Sequence, residues 1–155
     1  MIMATSLSVL IVEDSEKDTA LMLRELKKTG LTIVHERVTS AVQLAGVLER
    51  GTWDVVISDY DLPGFGAIDA LRIVKAKDAE LPFIVVSGAI GEEVAVETMK
   101  AGAQDYVMKD RLVRLAPTLL REVRDADHRR ARARRAQARA AKRNHAPART
   151  CHEAV

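Results

Sequence analysis

The sequence predicts an α/β fold: a doubly wound, five-stranded parallel sheet with helices on both faces and a basic helical extension at the C-terminus. Three observations lead there. Strand-like and helix-like segments alternate five times; the strand-like segments are short and nearly all apolar, as in strands covered on both faces; and no large apolar residue appears between Ala126 and Asn144. At 155 residues the chain has the length of about one domain.

The first strand is expected over Leu7 to Val12, followed by a helix from Ser15 to Lys28 in which Ala20, Leu23 and Leu26 recur at helical spacing and Gly30 supplies a stop. Ser15 and Asp18 have the spacing of a capping box. Leu31 to Val38 reads as a second strand, and Ala41 to Glu49 as a helix capped by Ser40 and ended at Gly51. Asp54 to Ser58 is the third strand. After a Gly/Pro-rich loop comes a helix near Ala67 to Lys75, with Ile68, Leu71 and Val74 turned inward. Phe83 to Ser87 follows Pro82 as an apolar strand, and Glu92 to Lys100 forms a helix whose first-turn acids suit its dipole. Tyr106 to Met108 is the last strand. Arg111 to Leu115 can form a helical turn, and Pro117 suits the first position of a fifth helix burying Leu119, Leu120 and Val123.

Charge is segregated along the chain. Residues 1–128 carry 15 Lys/Arg against 21 Asp/Glu, a net of −6, whereas residues 129–155 carry 9 against 1, a net of +8. This divides the chain into a domain over residues 1–127 and an Arg/Ala-rich extension with an irregular tail over 128–155. The start shows no signal peptide and no run is long enough to span a bilayer, so a cytoplasmic protein is expected. Cys151 is a lone tail thiol, which excludes an intrachain disulfide or a thiolate metal cluster. His35, His128, His145 and His152 lack metal-ligand spacing, and Trp53 and Phe65 are too few for a base-stacking platform.

The chemistry lies where the strands end. Val9 to Val12 runs into Glu13 and Asp14, Val55 to Ser58 into Asp59, Phe83 to Val86 into Ser87, and Tyr106 to Met108 into Lys109. In an open α/β sheet the ligand crevice lies beyond the carboxyl ends of the strands, where strand order reverses. A single strand-terminal Asp is usually a cap or a turn residue. Reactive groups on four strand ends are harder to explain that way. Three crowded carboxylates are tolerable around a hard divalent cation, Mg²⁺ or Mn²⁺, with the Asp61 backbone carbonyl as a further ligand. Lys109 and the Ser87 hydroxyl add a cation and a donor suited to phosphoryl oxygens. Asp59, alone at its strand end, is the expected nucleophile.

The runs VLIVED from Val9, VVISDYDLPGFG from Val55, FIVVSGA from Phe83 and AGAQDYVMK from Ala101 together resemble the receiver domain of two-component response regulators, over roughly Leu7 to Arg124. The resemblance implies a flavodoxin-like, CheY-like sheet of order 2-1-3-4-5. It implies that Asp59 accepts a phosphoryl group from a histidine kinase or phosphotransfer protein. Glu13 and Asp14 would organise the metal, Lys109 would contact the phosphoryl group, and Ser87 and Tyr106 would form the switch pair. Output would pass through the face made by the fourth helix, fifth strand and fifth helix, to a downstream protein or a second copy. Asp61 and Ala89 are candidate tuning positions for phosphoryl lifetime.

One departure from the family pattern is Asp110, where receivers commonly carry proline after a cis bond, which leaves the form of the Lys109–Asp110 bond open. Two other functions match parts of the pattern. A haloacid-dehalogenase-like phosphatase would use an Asp-x-Asp such as Asp59 and Asp61, but its nucleophile lies on the first core strand and its metal-binding acids follow the lysine, whereas Glu13 and Asp14 come first here. An adaptor could instead bind nucleic acid or an anionic surface through the basic tail, a secondary expectation beside a solvated helix.

Overall fold

The computed structural model describes residues 5–88 and 91–144. Ala89, Cys151, His145 and His152 lie outside the described residues. Five strands, β1 (Ser6–Val12), β2 (Thr32–Val38), β3 (Val55–Asp59), β4 (Phe83–Ser87) and β5 (Asp105–Met108), form one parallel sheet in the order β2-β1-β3-β4-β5. The helices are α1 (Glu16–Leu26), α2 (Ala41–Arg50), α3 (Ala67–Lys77), α4 (Glu92–Lys100) and α5 (Leu115–Asn144).

Side-chain alternation divides the core into two layers. Val9, Ile11, Val55, Ile57, Ile84, Val86 and Val107 point to one face, where Met22 and Leu26 of α1 and Leu115, Leu119 and Val123 of α5 cover them. Leu10, Val12, Val56, Phe83 and Val85 point to the other face, against Leu44 and Val47 of α2 and Leu71 and Val74 of α3. All residues of β3 and β4 are buried, which explains why these segments read as unbroken apolar runs. Removing a core side chain such as Leu10 or Ile57 would cost about 2–5 kcal/mol.

Several helix details differ from the sequence reading. The buried side of α1 is Thr19, Met22 and Leu26, and Ala20 is exposed. Met22 fills more space than Ala20, so it sets the phase of the buried stripe. Helix α5 starts at Leu115, two residues before Pro117, after a 3-10 segment over Lys109–Arg114, and Leu120 is only half-buried. Pro117 is still within the first turn, where its missing N–H is harmless. The Lys109–Asp110 bond is trans, and no cis peptide occurs among the described residues.

The turn after β3 has a local cause. Leu62 accepts from the Phe65 N–H at 3.2 Å, and Gly64 sits at φ +68° as the third residue of the turn behind Pro63. Proline fixes the preceding φ and glycine tolerates the positive one, as a type II turn requires. Leu62 and Phe65 are both buried, so the loop after Asp59 is packed down rather than left in solvent.

Candidate functional site

Neighbours β1 and β3 lead to loops on opposite sides of the sheet, and the site lies where they part. Glu13 continues β1 by one residue, its N–H donating to the Val38 carbonyl at 3.1 Å. Its side chain is 0 % exposed. One oxygen, Oε1, accepts from the Ser15 N–H at 3.1 Å; the other, Oε2, is 3.2 Å from Lys109 Nζ without hydrogen-bond geometry. Arg37 braces this turn from β2, its Nη1 donating to the carbonyls of Glu13 at 3.2 Å and Asp14 at 3.4 Å.

Asp59 ends β3 and is 7 % exposed. Its carboxylate Oδ2 lies 3.3 Å from Lys109 Nζ. The residue after it is held by β4, the Tyr60 N–H donating to Val86 O at 3.1 Å. From the end of β5 Lys109 reaches three carboxylates at once: Asp18 Oδ2 at 2.8 Å, Glu13 Oε2 at 3.2 Å and Asp59 Oδ2 at 3.3 Å. Gly88 leaves room for its stem, since a Cβ there would stand 3.7 Å from Lys109 Cδ.

The electrostatics follow from burial. Burial raises the Glu13 pKa, with the Asp59 charge adding to it, and the Ser15 N–H and Lys109 only partly offset this. Burial likewise raises Asp59, against the pull of Lys109 and the backbone N–H groups of Asp61 and Tyr60. Burial works against the charge on Lys109, yet the Asp18 hydrogen bond and the charges of Asp59 and Glu13 outweigh it and hold its pKa above the ordinary lysine range. One cation therefore faces several acids that gain by an additional positive charge.

That arrangement fits a divalent cation. Glu13, Asp14 and Asp59 each present a carboxylate oxygen within 4.8 Å of the others, and Glu13 Oε2 is a buried oxygen with no hydrogen bond. Oxygen donors of this kind suit Mg²⁺ or Mn²⁺. Asp61 is exposed beside the cluster.

Ser87 ends β4 and is 1 % exposed. With Gly88, Met108, Lys109 and Asp110 it lines a cleft of about 390 Å³ beside the carboxylates. Tyr106 pairs with Val85 in the β4–β5 register, two residues below the Ser87–Met108 pair. Strand alternation places Ser87 and Tyr106 on the same face of the sheet. The Glu13, Asp14, Asp59 and Lys109 side chains thus meet directly, Ser87 borders them across the cleft, and Tyr106 stands farther back along β5.

Three participants escaped the sequence reading. Asp18 pairs with Lys109, although Ser15 Oγ does accept from the Asp18 N–H at 3.1 Å. Only half of the capping box forms, because Glu13 takes the Ser15 N–H and leaves the Asp18 carboxylate for Lys109. The position of Asp18, one turn after Asp14, was the available signal. Arg37 carried none, because its hydrogen-bond partners at the site are backbone carbonyls and its ion pair with Glu16, at 3.6 Å, crosses from β2 to α1. The third is Tyr60, whose hydroxyl donates to Glu97 Oε2 of α4 at 3.2 Å and so ties the residue after Asp59 to that helix.

Comparison with known proteins agrees with this geometry. A family model described as the response regulator receiver domain matches residues 9–117. The chain is 31 % identical over 108 residues to the transcriptional regulatory protein FixJ of Azorhizobium caulinodans, covering 69 % of this chain and 50 % of that protein. It is 29 % identical over 105 residues to the chemotaxis protein CheY of Pseudomonas aeruginosa, covering 66 % of this chain and 84 % of that one. Thus it spans half of FixJ, and a quarter of the DctD regulator of Rhizobium meliloti, of which it covers 25 %. Among solved structures, the receiver domain of the sensor histidine kinase PA1611 of P. aeruginosa, with a magnesium ion in its active-site cleft, superposes with a TM-score of 0.65 at 22 % identity, covering 76 % of this chain and 98 % of that one. The signal receiver domain of a LuxO repressor protein from Vibrio parahaemolyticus gives 0.71 at 24 % identity, with 81 % and 96 % covered.

Proposed function

The chain belongs to the response regulator receiver domain family, and from that premise we propose that Asp59 accepts a phosphoryl group from a histidine kinase or phosphotransfer protein. The observation that carries this reading is the meeting of Asp59 with Lys109 at 3.3 Å, inside a carboxylate cluster that has room for a cation.

In the reaction an Asp59 carboxylate oxygen attacks phosphorus, the bond from phosphorus to the donor's imidazole nitrogen breaks, and the leaving imidazole takes a proton from solvent. Asp59 becomes an acyl phosphate. Glu13, Asp14 and Asp59, with the Asp61 carbonyl, would hold Mg²⁺ or Mn²⁺, which would supply charge neutralisation at the phosphoryl oxygens. Lys109 neutralises a further oxygen, exchanging part of its interaction with Asp59 for the phosphoryl group. The protein modifies itself and does not turn over a separate substrate; metal-dependent self-phosphorylation from small phosphodonors and autodephosphorylation follow from the same groups. Asp61 tunes attack by water, a role that an unchanged dephosphorylation rate in Asp61→Asn would remove. Ala89 is a second tuning position.

Output passes through the α4-β5-α5 face. The Ser87 hydroxyl is drawn to the phosphoryl group and Tyr106 follows, which selects between two packings of that face. Val96 and Met99 of α4 are exposed, 50 % and 45 %, and offer apolar surface to a downstream protein or to a second copy. Residues 1–127 form the phosphoacceptor unit of a cytoplasmic regulator, with 128–155 as its basic extension; no helix among the described residues is long and apolar enough to cross a membrane.

The test is stoichiometric labelling by acetyl phosphate in the presence of Mg²⁺. One phosphoryl group per chain, absent in Asp59→Asn, supports the reading. Catalytic turnover of a phosphomonoester without a stable adduct would contradict it.

A further inference from the structure

The second half of α5 carries more uncompensated charge than any other described surface, and its geometry gives that charge a direction. The buried side of the helix runs through Leu115, Leu119, Glu122, Val123 and Ala126 and ends in two ion pairs: Arg129 with Glu80 Oε2 at 2.8 Å and Arg130 with Asp78 Oδ2 at 3.0 Å. These clamps join α5 to the loop before β4, at the end of the sheet opposite the carboxylates. They also set the rotation of everything that follows.

From Ala131 to Asn144 every residue of the helix is exposed. At about 100° per residue, Arg132, Arg135, Arg139, Lys142 and Arg143 fall within about 100° of arc, on the side turned away from the clamps. None of the five forms an ion pair with a described residue. The side that continues the buried stripe carries Ala133, Gln137, Ala140 and Asn144, which are uncharged, while Arg134 stands apart from the edge, next to Arg130 at a cleft lined by Trp53 and Asp78. The segment is therefore a slim helix with a one-sided cationic edge, facing away from an acidic domain that would repel a polyanion.

We infer that this edge, Arg132, Arg135, Arg139, Lys142 and Arg143, is a docking surface for double-stranded DNA, bound through its phosphates without sequence preference. Charge complementarity carries the choice of partner. A duplex presents about one negative charge per 1.7 Å of axis, against which five cations spaced along about 16 Å of helix can align. A helix whose remaining residues are Ala, Gln137, Asn144 and the single Arg134 is narrow enough for the major groove, about 12 Å wide. An anionic bilayer fits less well. Helices that lie in a membrane interface insert an apolar face, and this segment has no large apolar residue in any direction.

The experiment uses the full chain with a mixed-sequence DNA duplex and, separately, vesicles of phosphatidylglycerol and phosphatidylcholine, over a range of salt. Five neutralised phosphates give a slope of log K against log salt of about −4.5, so a fourfold rise in salt weakens binding roughly 500-fold. The triple variant Arg132→Gln, Arg135→Gln, Arg139→Gln keeps helix propensity and should reduce the slope to about −2. Its acceptance of a phosphoryl group from acetyl phosphate should be unchanged, which shows that the domain is folded and keeps this test separate from that of Asp59. Equal DNA binding by the triple variant, retention on vesicles but not on DNA, or no retention on either at low salt would each overturn the inference.

Discussion

Two clusters of charge lie at opposite ends of the molecule and are built on opposite rules. At the strand exits, Glu13 and Asp59 are buried, and their charges are compensated by Lys109 within 3.3 Å. Along the outer part of α5, cations are exposed and lie side by side with nothing opposing them. Water makes the second arrangement inexpensive and the first costly, since a buried carboxylate loses hydration that a partner must replace. The difference shows why net charge alone is a poor guide. In the acidic cluster burial forces the Glu13 and Asp59 charges to interact; the basic helix is a surface whose effect depends on what approaches it and on salt.

The sharpest way to break this comparison is to remove the central cation. Lys109→Gln leaves Glu13 and Asp59 buried without compensation and should cost about 3 kcal/mol, read as a lower urea midpoint in metal-free buffer. Arg135→Gln on the extension should change the same midpoint by less than about 0.5 kcal/mol. Equal effects would mean that the buried network is not held as described.

Metal should act next. Mg²⁺ at about a hundred times its dissociation constant should stabilise the fold by about 2.7 kcal/mol, seen as a rise in Tm. Asp14→Ala should abolish most of that rise while leaving the metal-free protein as stable or more so, because Asp14 belongs to a carboxylate cluster.

The pH dependence distinguishes the two states of the site. A carboxyl whose folded pKa is raised binds its proton more readily when folded; its stability contribution is fully present below the unfolded pKa and lost as pH rises through the folded one. Relative to Glu13→Gln, the metal-free protein should therefore lose stability as pH rises from the ordinary carboxylate range through the raised folded values. With Mg²⁺ present, which needs the charged form, the trend should reverse. The smallest effect is at Tyr60→Phe, which removes the hydroxyl bonded to Glu97 and should cost about 0.5–1 kcal/mol. A double-mutant cycle with Glu97→Gln isolates that contribution.

The sheet was legible because each strand is a short apolar run with polar punctuation, and strand order placed Asp59 next to Glu13 and Asp14. What escaped depended on competition between partners. Ser15 and Asp18 spell a cap, and only the fold shows Glu13 taking one of its hydrogen bonds and Lys109 taking the Asp18 carboxylate. Thr19 and Met22, rather than Ala20, mark the buried side of α1, because Ala20 to Leu23 is an unbroken apolar run that leaves the helical phase open and Thr19 is polar. The segregation of charge was visible in composition, whereas the direction of the basic edge was not. Its rotation depends on Arg129 and Arg130 meeting Glu80 and Asp78, about 50 residues earlier in the chain.

On the proposed reading, the buried carboxylate cluster makes Asp59 the acceptor among several neighbouring acids. Treating the acetyl-phosphate-labelled protein with hydroxylamine and mapping the peptides tests it most directly, since hydroxylamine converts an acyl phosphate to a hydroxamate where the phosphoryl group stood. A hydroxamate is expected at Asp59 alone. A hydroxamate at Glu13, Asp14 or Asp61, or a label that resists hydroxylamine as a hydroxyl ester does, would contradict it.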